Sequence, residues 1–287
     1  MIQNKRRPCK PGEQSATASP MPQDDLTKLR ALIRDLQSVV VAYSGGVDSA
    51  LVLAVAHEQL GTRALGVTAV SPSLPSRELQ AAISLARDLG AQHRCIHSGE
   101  MRSPEYRRND RDRCYFCKQA LYTHLVDLAA REGYAHVVNG TNHDDLGDDR
   151  PGLQAASEHQ VRSPLLELGL DKAAVRKLAH TLDLPCWNKP ASACLSSRIP
   201  YGTPVNQERL TQVERLEDAL LALGLTQLRV RHHGPVARIE VLEAELQHAL
   251  ATREAIVEAS LRAGFTFAAL DLCGYRSGSM NRLPLLP

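Results

Sequence analysis

The amino-acid sequence predicts an α/β protein with a doubly wound parallel sheet and a smaller C-terminal α+β domain. Short apolar runs are separated by helical patterns, and such runs are typical of parallel strands buried on both faces. Beyond about residue 200 the order changes to helix, strand, strand, helix and strand. The first residues mix Pro, Ser, Gln and Lys without periodicity, as flexible chains do. We therefore predict a flexible tail over 1–24, the sheet domain over 25–200 and the small domain over 201–287.

The first domain alternates strands with helices along the chain. Leu121, Leu125 and Leu128 recur at helical spacing and indicate a helix between the third and fourth strands. The strands are predicted at 38–43, 64–70, 93–97 and 136–139, and the other helices at 49–60 and 77–89.

The second domain is predicted from a helix over 210–223 that ends at Gly224, strands at 227–231 and 236–242, a helix over 244–263 and a strand over 265–272. Arg229 and Arg231 are two residues apart in the first of these strands, so their side chains share one face. Like charges on one face repel each other unless an anion lies between them. The alternative is an exposed basic face that Glu240, on the neighbouring strand, neutralises as a salt bridge.

Composition and charge exclude several classes of protein. The chain is 43% apolar and 23% charged, with a net charge of +2, and without residues 1–23 it has 30 basic and 31 acidic side chains. A neutral body with eleven aromatic rings does not favour nucleic-acid binding. The chain has no apolar run long enough to span a bilayer and no secretory signal. Seven unevenly spaced cysteines argue against a disulfide framework, so we expect a reduced, cytoplasmic protein.

A glycine turn between the first predicted strand and helix is the sharpest motif. Its glycines allow the backbone to turn tightly and approach a ligand, while its hydroxyls and the N–H groups of the helix start form a nest for anions. The lysine of a Walker-type loop is missing, which does not favour chemistry at the β- and γ-phosphates. An ordinary strand–turn–helix is the alternative. The loop consists of Ser44, Gly45, Gly46, Val47, Asp48 and Ser49.

A second polar loop follows the strand at 136–139. Gly140 permits close backbone approach, Thr141 and Asn142 supply short hydrogen-bonding groups, and Asp144 with Asp145 can hold a metal or orient a water. A polar loop with a helix cap is the alternative. The neighbouring acids Asp148 and Asp149 are predicted to be a solvated run.

Three cysteines are candidates for chemistry. Cys114 and Cys117 have the Cys-x-x-Cys spacing of metal and redox sites, but no second pair of cysteines or histidines completes a usual zinc pattern. Cys194 has Lys189 and Arg198 nearby, and positive charge lowers a thiol's pKa. Three thiolates leave one corner of a 4Fe–4S cluster without a protein ligand. The remaining cysteines are expected to be inert: Cys95, Cys186 and Cys273 as packing residues and Cys9 in the tail.

These motifs together resemble a known family. The loop of residues 44–49 is similar to the PP-loop of the ATP pyrophosphatases, which cleave ATP between the α- and β-phosphates. With Arg113–Lys118, Asn139–Asp145 and Lys189–Gly202, the resemblance is to the LarE family of ATP-dependent sulfurtransferases of nickel-pincer nucleotide biosynthesis, over residues 26–275. It implies that ATP adenylylates a carboxylate of pyridinium-3,5-biscarboxylic acid mononucleotide, releasing pyrophosphate, and that sulfur then replaces AMP to give a thiocarboxylate.

The resemblance also implies cofactors and site residues. Asp48 would help to hold Mg²⁺ beside ATP. Ser197 and Arg198 would meet the substrate phosphate, since arginine presents a forked donor to oxyanions. Arg229 and Arg231 would contact the substrate phosphate or carboxylate, with Glu240 as a partner. LarE-type proteins form homo-oligomers built from trimers, so a homo-oligomer is expected.

Two routes for sulfur exist in this family. In one, a single cysteine at the position of Cys194 gives up its own sulfur and becomes dehydroalanine. In the other, three cysteines bind a 4Fe–4S cluster whose free iron carries a sulfide from an external source. Because this sequence has Cys114, Cys117 and Cys194, the resemblance favours the cluster, with the sacrificial route as an alternative.

Other functions remain open from the sequence. A PP-loop tRNA thiolase with a 4Fe–4S cluster shares the motifs, although the neutral body and few aromatics weaken that hypothesis; the basic stretch over 102–118 is interleaved with acids. An ammonia-using ligase would leave the cysteines without a role. A regulatory module would bind ATP without releasing pyrophosphate, and the intact glycine loop argues against it.

Overall fold

A four-stranded parallel sheet forms the centre of the N-terminal part of the protein. The computed structural model describes residues 22–147 and 151–276. The sheet has the strand order β3–β2–β1–β4, and every neighbouring pair is parallel. The α/β class and the parallel sheet predicted from the sequence are therefore confirmed.

The strands are β1 (Val39–Ala42), β2 (Ala64–Val70), β3 (Gln92–His97), β4 (His136–Val138), β5 (Leu228–His233), β6 (Val236–Val241) and β7 (Phe267–Leu270). The helices are α1 (Pro22–Asp35), α2 (Val47–Leu60), α3 (Ser76–Asp88), α4 (Pro104–Arg108), α5 (Arg113–Glu132), α6 (Pro151–Glu158), α7 (Pro164–Glu167), α8 (Lys172–Thr181), α9 (Gln207–Ala222), α10 (Leu246–Ala251) and α11 (Arg253–Arg262). Short 3₁₀ turns lie at Gly61–Arg63, Glu100–Arg102, His143–Gly147, Leu195–Arg198 and Glu243–Glu245.

Strand β1 and helix α2 form the centre of the largest hydrophobic core. The three valines of β1 are fully buried, and most residues of α2 are buried as well. An α-helix that is apolar on nearly all sides must be covered by other elements. Here α1 and α8 pack against α2, as the shared hydrophobic cluster shows.

The order of the strands determines where a ligand can bind. The chain runs from β1 outward through β2 to β3, and then returns to place β4 on the other side of β1. Loops that follow the strands on either side of such a reversal form a crevice at the carboxyl edge of the sheet, where α/β proteins bind ligands. The two loops concerned are those after β1 and β4, which are the two polar loops predicted from the sequence.

The C-terminal part is a three-stranded sheet in the order β5–β6–β7, covered by α9 and α11. Strands β5 and β6 are antiparallel, whereas β6 and β7 are parallel. Its hydrophobic core also includes Tyr106, Leu195, Ile199 and Val205 from outside this sheet. The core thus draws on residues from both sides of residue 200, and the domain boundary stays a prediction.

Helix α1 is an element that the sequence analysis did not predict. It begins at Pro22, inside the segment assigned to the tail; residues 1–21 lie outside the described part. Proline at the first helical position and Asp24 and Asp25 in the first turn favour a helix start. The helix packs onto the core through Leu29 and Ile33, which are fully buried.

The long helix predicted over 244–263 is divided into α10 and α11. The break is at Thr252, whose backbone leaves the helical region at φ −100° and ψ 18°. Its hydroxyl donates to the His248 carbonyl at 2.9 Å, a side-chain bond that competes with the backbone ladder. Within the described ranges, no helix is long and apolar enough to cross a membrane.

Candidate active site

The loop of residues 44–49, here called the phosphate loop, lies between β1 and α2. Gly45 has φ +73°, and a Cβ there would be 2.7 Å from the Cβ of Ala82, so only glycine fits. Ser49 Oγ accepts from the Ser44 N–H at 3.1 Å and holds the turn closed. Helix α2 starts after Gly46 without a side-chain cap. Its first N–H groups lack intrahelical acceptors and, with the helix dipole, favour an anion.

The second loop, residues 139–145, packs directly on the phosphate loop. A Cβ on Gly140 would be 2.6 Å from the Ser49 nitrogen and 2.8 Å from the Asp48 carbonyl carbon. Asn142 Nδ2 donates to Asp48 Oδ1 at 3.0 Å. The structure therefore brings together the two loops that the sequence analysis predicted as separate nucleotide-binding elements.

Lys172, at the start of α8, is a residue of this site that the sequence analysis missed. Its Nζ lies 2.5 Å from Asp48 Oδ2, and its backbone N–H donates to Asp144 Oδ2 at 3.1 Å. The phosphate loop lacks a Walker-type lysine, but the fold supplies a cation to it from a distant segment. A lysine at the first position of an amphipathic helix carries no sequence signal for this role.

The oxygen-rich side chains around Asp48 suit Mg²⁺. Hard carboxylate and amide oxygens are available from Asp48, Asn142 and Asp144, and Mg²⁺ in nucleotide sites is held by one or two carboxylates plus the substrate phosphates. Among the described residues, no group of three His, Cys, Asp or Glu side chains is placed to hold a metal ion. The residues thus fit a Mg²⁺ ion that shares its ligands with ATP.

Two of the three candidate cysteines lie on the first turns of α5. Cys114 and Cys117 are three residues apart and share one face of the helix. Cys194 precedes the 3₁₀ turn Leu195–Arg198. Burial raises the pKa of Cys117 to about 12, and negative charge on Cys194 and on Cys114 adds to this effect. Cys114 and Cys194 are exposed, whereas Cys117 is partly buried.

This donor set suits an iron–sulfur cluster by its chemistry. Thiolates are the ligands of such clusters, and each cysteine of a 4Fe–4S cluster binds a different iron. The thiols do not need to converge on a single ion, and the described residues contain no three-ligand group of that kind. Arg113 and Lys118 flank the two cysteines in the sequence of α5.

Residues 189–198, here called the Cys194 turn, are anchored at the carboxyl edge of the parallel sheet. The Leu195 N–H donates to the carbonyl of Ser73, in the loop after β2, at 2.8 Å. Lys189 Nζ lies 2.7 Å from Glu78 Oε2 in the first turn of α3. The sulfur of Cys194 is thus carried by a segment fastened to the loop after β2 and to α3, at the sheet edge that also carries the phosphate loop.

Arg198 holds the Cys194 turn from inside the protein. The side chain is fully buried, and Nη1 donates to the carbonyls of Ala193 at 2.7 Å and Cys194 at 3.0 Å. Nε and Nη2 bond the two carboxylate oxygens of Glu217 at 2.8 and 3.1 Å. Each guanidinium nitrogen is used by the protein, so the geometry favours a positioning role for Arg198 over the predicted phosphate contact.

The basic face of β5 lies against the Cys194 turn. Arg231 Nη1 donates to the Ser197 carbonyl at 3.1 Å, and Nη2 to Glu240 at 2.8 Å. Arg229 Nη2 donates to the Ala191 carbonyl at 3.1 Å, and its guanidinium lies 5.0 Å from the ring of Tyr275. The salt bridge between Arg231 and Glu240 is present, but the Cys194 turn covers this face of β5, so the face is not the exposed one that the alternative prediction described.

Burial and neighbouring charges affect the arginines on this face of β5. Burial lowers the pKa of Arg229, and the positive charges of Arg198 and Arg231 add to that effect. Glu240 is fully buried and also pairs with Arg238 at 2.9 Å. Arg198 and Arg231 are thus paired with buried carboxylates, whereas Arg229 donates to the carbonyls of Leu228 and Ala191.

The other cysteines differ in part from expectation. Cys186 is buried, as predicted, but Cys95 and Cys273 are exposed, so the prediction that they are packing residues is wrong. Strand β3 is an edge strand, and Cys273 follows β7 in a turn, so neither position is enclosed. Cys9, Asp148 and Asp149 lie outside the described residues.

Comparison with known proteins agrees with this site. The family model for NAD synthase matches residues 27–107. The chain is 44% identical to an uncharacterised protein of Synechocystis sp. over 92% of this chain and 99% of the relative. An uncharacterised protein of Methanocaldococcus jannaschii is 30% identical, over 84% of this chain and 92% of the relative.

The fold and the phosphate loop define an ATP-using α/β protein of the PP-loop class. A pyridinium-3,5-bisthiocarboxylic acid mononucleotide synthase of Lactiplantibacillus plantarum is 41% identical to the chain, over 88% of this chain and 92% of the relative. The chain belongs to the LarE family, a family of ATP-dependent sulfurtransferases.

Proposed function

We propose that the protein converts a carboxylate of pyridinium-3,5-biscarboxylic acid mononucleotide into a thiocarboxylate at the expense of ATP. The observation that carries this proposal is the position of the Cys194 turn, which is fastened by the Leu195–Ser73 hydrogen bond at the sheet edge that carries the phosphate loop. A sulfur-bearing segment beside a nucleotide loop suits a reaction in which sulfur displaces AMP. The name of the Lactiplantibacillus plantarum relative supplies the substrate class.

The reaction has two steps. A carboxylate oxygen of the substrate attacks the α-phosphorus of ATP, and pyrophosphate leaves with the electrons of the broken phosphoanhydride bond. A sulfur nucleophile then attacks the acyl carbon, and AMP leaves. Adenylylation is needed because a free carboxylate is a poor electrophile with a poor leaving group.

The phosphate loop and its neighbours would carry out the first step. The N–H groups at the start of α2 would bind phosphate oxygens, while Asp48 would ligate Mg²⁺, which when bound neutralises phosphate charge. Lys172 would turn from Asp48 to the phosphates. Arg229 and Arg231 would bind the substrate phosphate or carboxylate beside Ser197, and Glu240 would hold Arg231 in position.

We propose the cluster route for the sulfur. Cys114, Cys117 and Cys194 would hold a 4Fe–4S cluster, which when bound supplies an open iron that carries sulfide from an external source. The exposure of Cys114 and Cys194 supports access for that source. Free thiols at the surface suit a reduced, cytoplasmic compartment.

Iron and sulfide analysis tests this proposal. Anaerobically prepared wild-type protein should contain iron and sulfide in the ratio of a 4Fe–4S cluster and should form thiocarboxylate repeatedly. Cys114→Ala should lose the bound iron and sulfide and also the repeated formation of thiocarboxylate, because one of the three cluster ligands is missing. Cys95→Ala, which removes an exposed cysteine outside the site, should keep both the cluster and the activity.

The opposite result would support the sacrificial route. In that case Cys114→Ala would still transfer sulfur, and each chain would lose the mass of one hydrogen sulfide. A separate assay follows the exchange of labelled pyrophosphate into ATP, which should depend on the presence of a pyridinium dicarboxylate. Salt-sensitive binding of bulk tRNA would instead indicate a tRNA thiolase.

We also propose a homo-oligomer, in which a second copy of the chain covers apolar side chains of the C-terminal part. Val257 and Leu261 lie on one face of α11 and are 48% and 56% exposed. Phe267 on the edge strand β7 is 61% exposed, and Leu250 on α10 is 50% exposed. Large apolar side chains exposed on neighbouring elements are typical of interaction surfaces.

A further inference from the structure

A buried asparagine ends helix α4 in a left-handed backbone conformation. Asn109 is fully buried, and its φ is +63°. Asparagine tolerates this conformation better than most residues do, but glycine adopts it without a steric penalty. The backbone alone therefore does not call for a side chain at this position, and the contacts of the amide explain its presence.

The Asn109 side chain holds the segment that follows the Cys194 turn. Its Nδ2 donates to the carbonyls of Pro200 and Thr203, both at 2.8 Å, and to the carbonyl of Ile199 at 3.3 Å. The Gly202 N–H donates in return to the Asn109 carbonyl at 3.1 Å. One residue thus holds the backbone of 199–203 with its side chain and with its own backbone.

The same hydrogen bonds extend to α5 and to the Cys194 turn itself. Asn109 Oδ1 accepts from Arg113 Nη1, and that nitrogen also donates to the Ser196 carbonyl at 2.8 Å. The hydroxyl of Tyr106, in α4, bonds Ser196 Oγ at 2.6 Å. These four side chains are all buried, and we call them the Asn109 bracket: Tyr106, Asn109, Arg113 and Ser196.

The Asn109 bracket joins the two segments that carry the candidate cysteines. Arg113 precedes Cys114 at the start of α5, and Ser196 lies two residues after Cys194. Arg113 and Ser196 are 83 residues apart in the chain, so the relation between the two segments depends on tertiary contacts. Buried polar groups are costly to leave without partners, and a fully bonded network therefore favours one arrangement of the segments.

We propose that Asn109 is a positioning residue of the sulfur site, which holds the start of α5 and the Cys194 turn in one fixed arrangement. Residues behind the ligands of a metal site commonly orient those ligands in this way. Ligands held in advance lose less conformational entropy when they bind. In its extension to a bound 4Fe–4S cluster, the inference rests on the proposed function.

Asn109→Gly separates the contacts of the amide from the strain of the backbone, because glycine keeps the left-handed conformation. Leu195 and Ile199 still pack in the C-terminal core, so we expect the variant to fold. Amide hydrogen exchange, measured by mass spectrometry on the full chain without iron, should become about tenfold faster over 194–205 and stay unchanged in α2. Gln37→Gly is the matched control, because Gln37 also has φ +63° but is exposed. This control should leave exchange over 194–205 unchanged.

Unchanged exchange over 194–205 in folded Asn109→Gly overturns the proposal. An equal increase in all parts of the chain also overturns it, because it indicates a general loss of stability. If Asn109→Gly does not fold, Tyr106→Phe decides the matter, since it removes only the hydroxyl that bonds Ser196. Tyr106→Phe should speed exchange over 195–198 and leave α2 unchanged, and wild-type exchange over 195–198 overturns the proposal.

Iron retention tests the extension to the cluster. After anaerobic reconstitution, Asn109→Gly should lose iron to a ferrous chelator about tenfold faster than wild type, whereas Gln37→Gly should match wild type. If neither wild type nor variants bind iron but exchange over 194–205 still increases in Asn109→Gly, the cluster in the proposed function fails and the positioning role stands. Equal rates of iron loss from wild type and Asn109→Gly overturn the extension.

Discussion

Asp48 shows how a motif residue depends on residues far away in the chain. Its two carboxylate oxygens are bonded to Asn142 and Lys172, from the second loop and the start of α8. A lone carboxylate beside a phosphate site would repel the ligand, whereas this one is neutralised by a lysine that can turn to the phosphates. The ion pair of Asp48 and Lys172 therefore sets the local charge of the phosphate loop.

We predict that Lys172→Met weakens ATP binding by about tenfold or more, which corresponds to ~1.4 kcal/mol. The substitution keeps the length of the side chain but leaves Asp48 without its cation. Isothermal titration calorimetry with Mg²⁺ and ATP measures the loss. Lys177→Met, at an exposed position of the same helix, is the control, and wild-type affinity in Lys172→Met would contradict the assigned role.

Gly140→Ala should damage the contact between the two loops. Its Cβ would lie 2.6 Å from the Ser49 backbone, which leaves no room for a methyl group. Gly46→Ala is the matched variant, because the nearest atom to its Cβ would be Ser44 Oγ at 3.5 Å and its φ is −77°. Thermal unfolding should show a clear loss for Gly140→Ala and little change for Gly46→Ala; equal melting temperatures would contradict the packing argument.

At the scale of elements, α9 and β5 hold the Cys194 turn through one carboxylate. Glu217 of α9 is fully buried and accepts from Arg198, from Arg77 Nη2 at 2.8 Å and from the Val230 N–H of β5 at 3.1 Å. The carboxylate thereby links the helix, the strand, the turn and α3. The positions of these elements are coupled through buried charge as well as through apolar packing.

We predict that Glu217→Gln destabilises the protein by roughly 3–5 kcal/mol, because Arg198 is left as an uncompensated buried cation. Denaturant titration measures the loss. Glu254→Gln removes a carboxylate from an exposed ion pair and should cost less than about 1 kcal/mol. Equal stability of the two variants would show that the buried pair is not needed.

The same residue makes stability depend on pH. Burial alone would raise the pKa of the Glu217 carboxyl, but the charges and hydrogen bonds of Arg198, Val230 and Arg77 outweigh burial and lower it from the ordinary value of 4.5. A carboxyl of this kind stabilises the fold above pH 4.5, and its contribution is lost as the pH falls further through the folded-state pKa. Melting temperature should fall more steeply below pH 4.5 in wild type than in Glu217→Gln; parallel profiles would contradict this.

At the scale of the whole molecule, the exposed apolar residues of α11 and β7 lie on the C-terminal part. We predict that a double substitution, Leu261→Asp with Phe267→Asp, lowers the mass measured by light scattering to that of a smaller assembly, because a buried interface does not tolerate unpaired charges. Phe267→Leu keeps the apolar surface and should keep the assembly. An unchanged mass in the double variant would place the interface elsewhere.

Part of the fold was predictable because its signals are local. Apolar runs such as Val39–Ala42 and the glycines of the phosphate loop act through neighbouring residues, so the parallel sheet and the sharp turn follow from short windows of sequence. Helix α1 was missed because its apolar residues follow directly on an aperiodic segment. Cys95 was misplaced because a strand pattern does not show which strand lies at the edge of a sheet.

By itself, the sequence determined the alternation of strands and helices, the two glycine-bearing loops and the presence of three candidate cysteines. Only the tertiary structure decided that Lys172 meets Asp48 and that Arg198 faces Glu217 in the interior. The reason is physical. Backbone conformation is encoded by near neighbours, whereas the environment of a charge depends on burial and on groups that folding brings from distant parts of the chain.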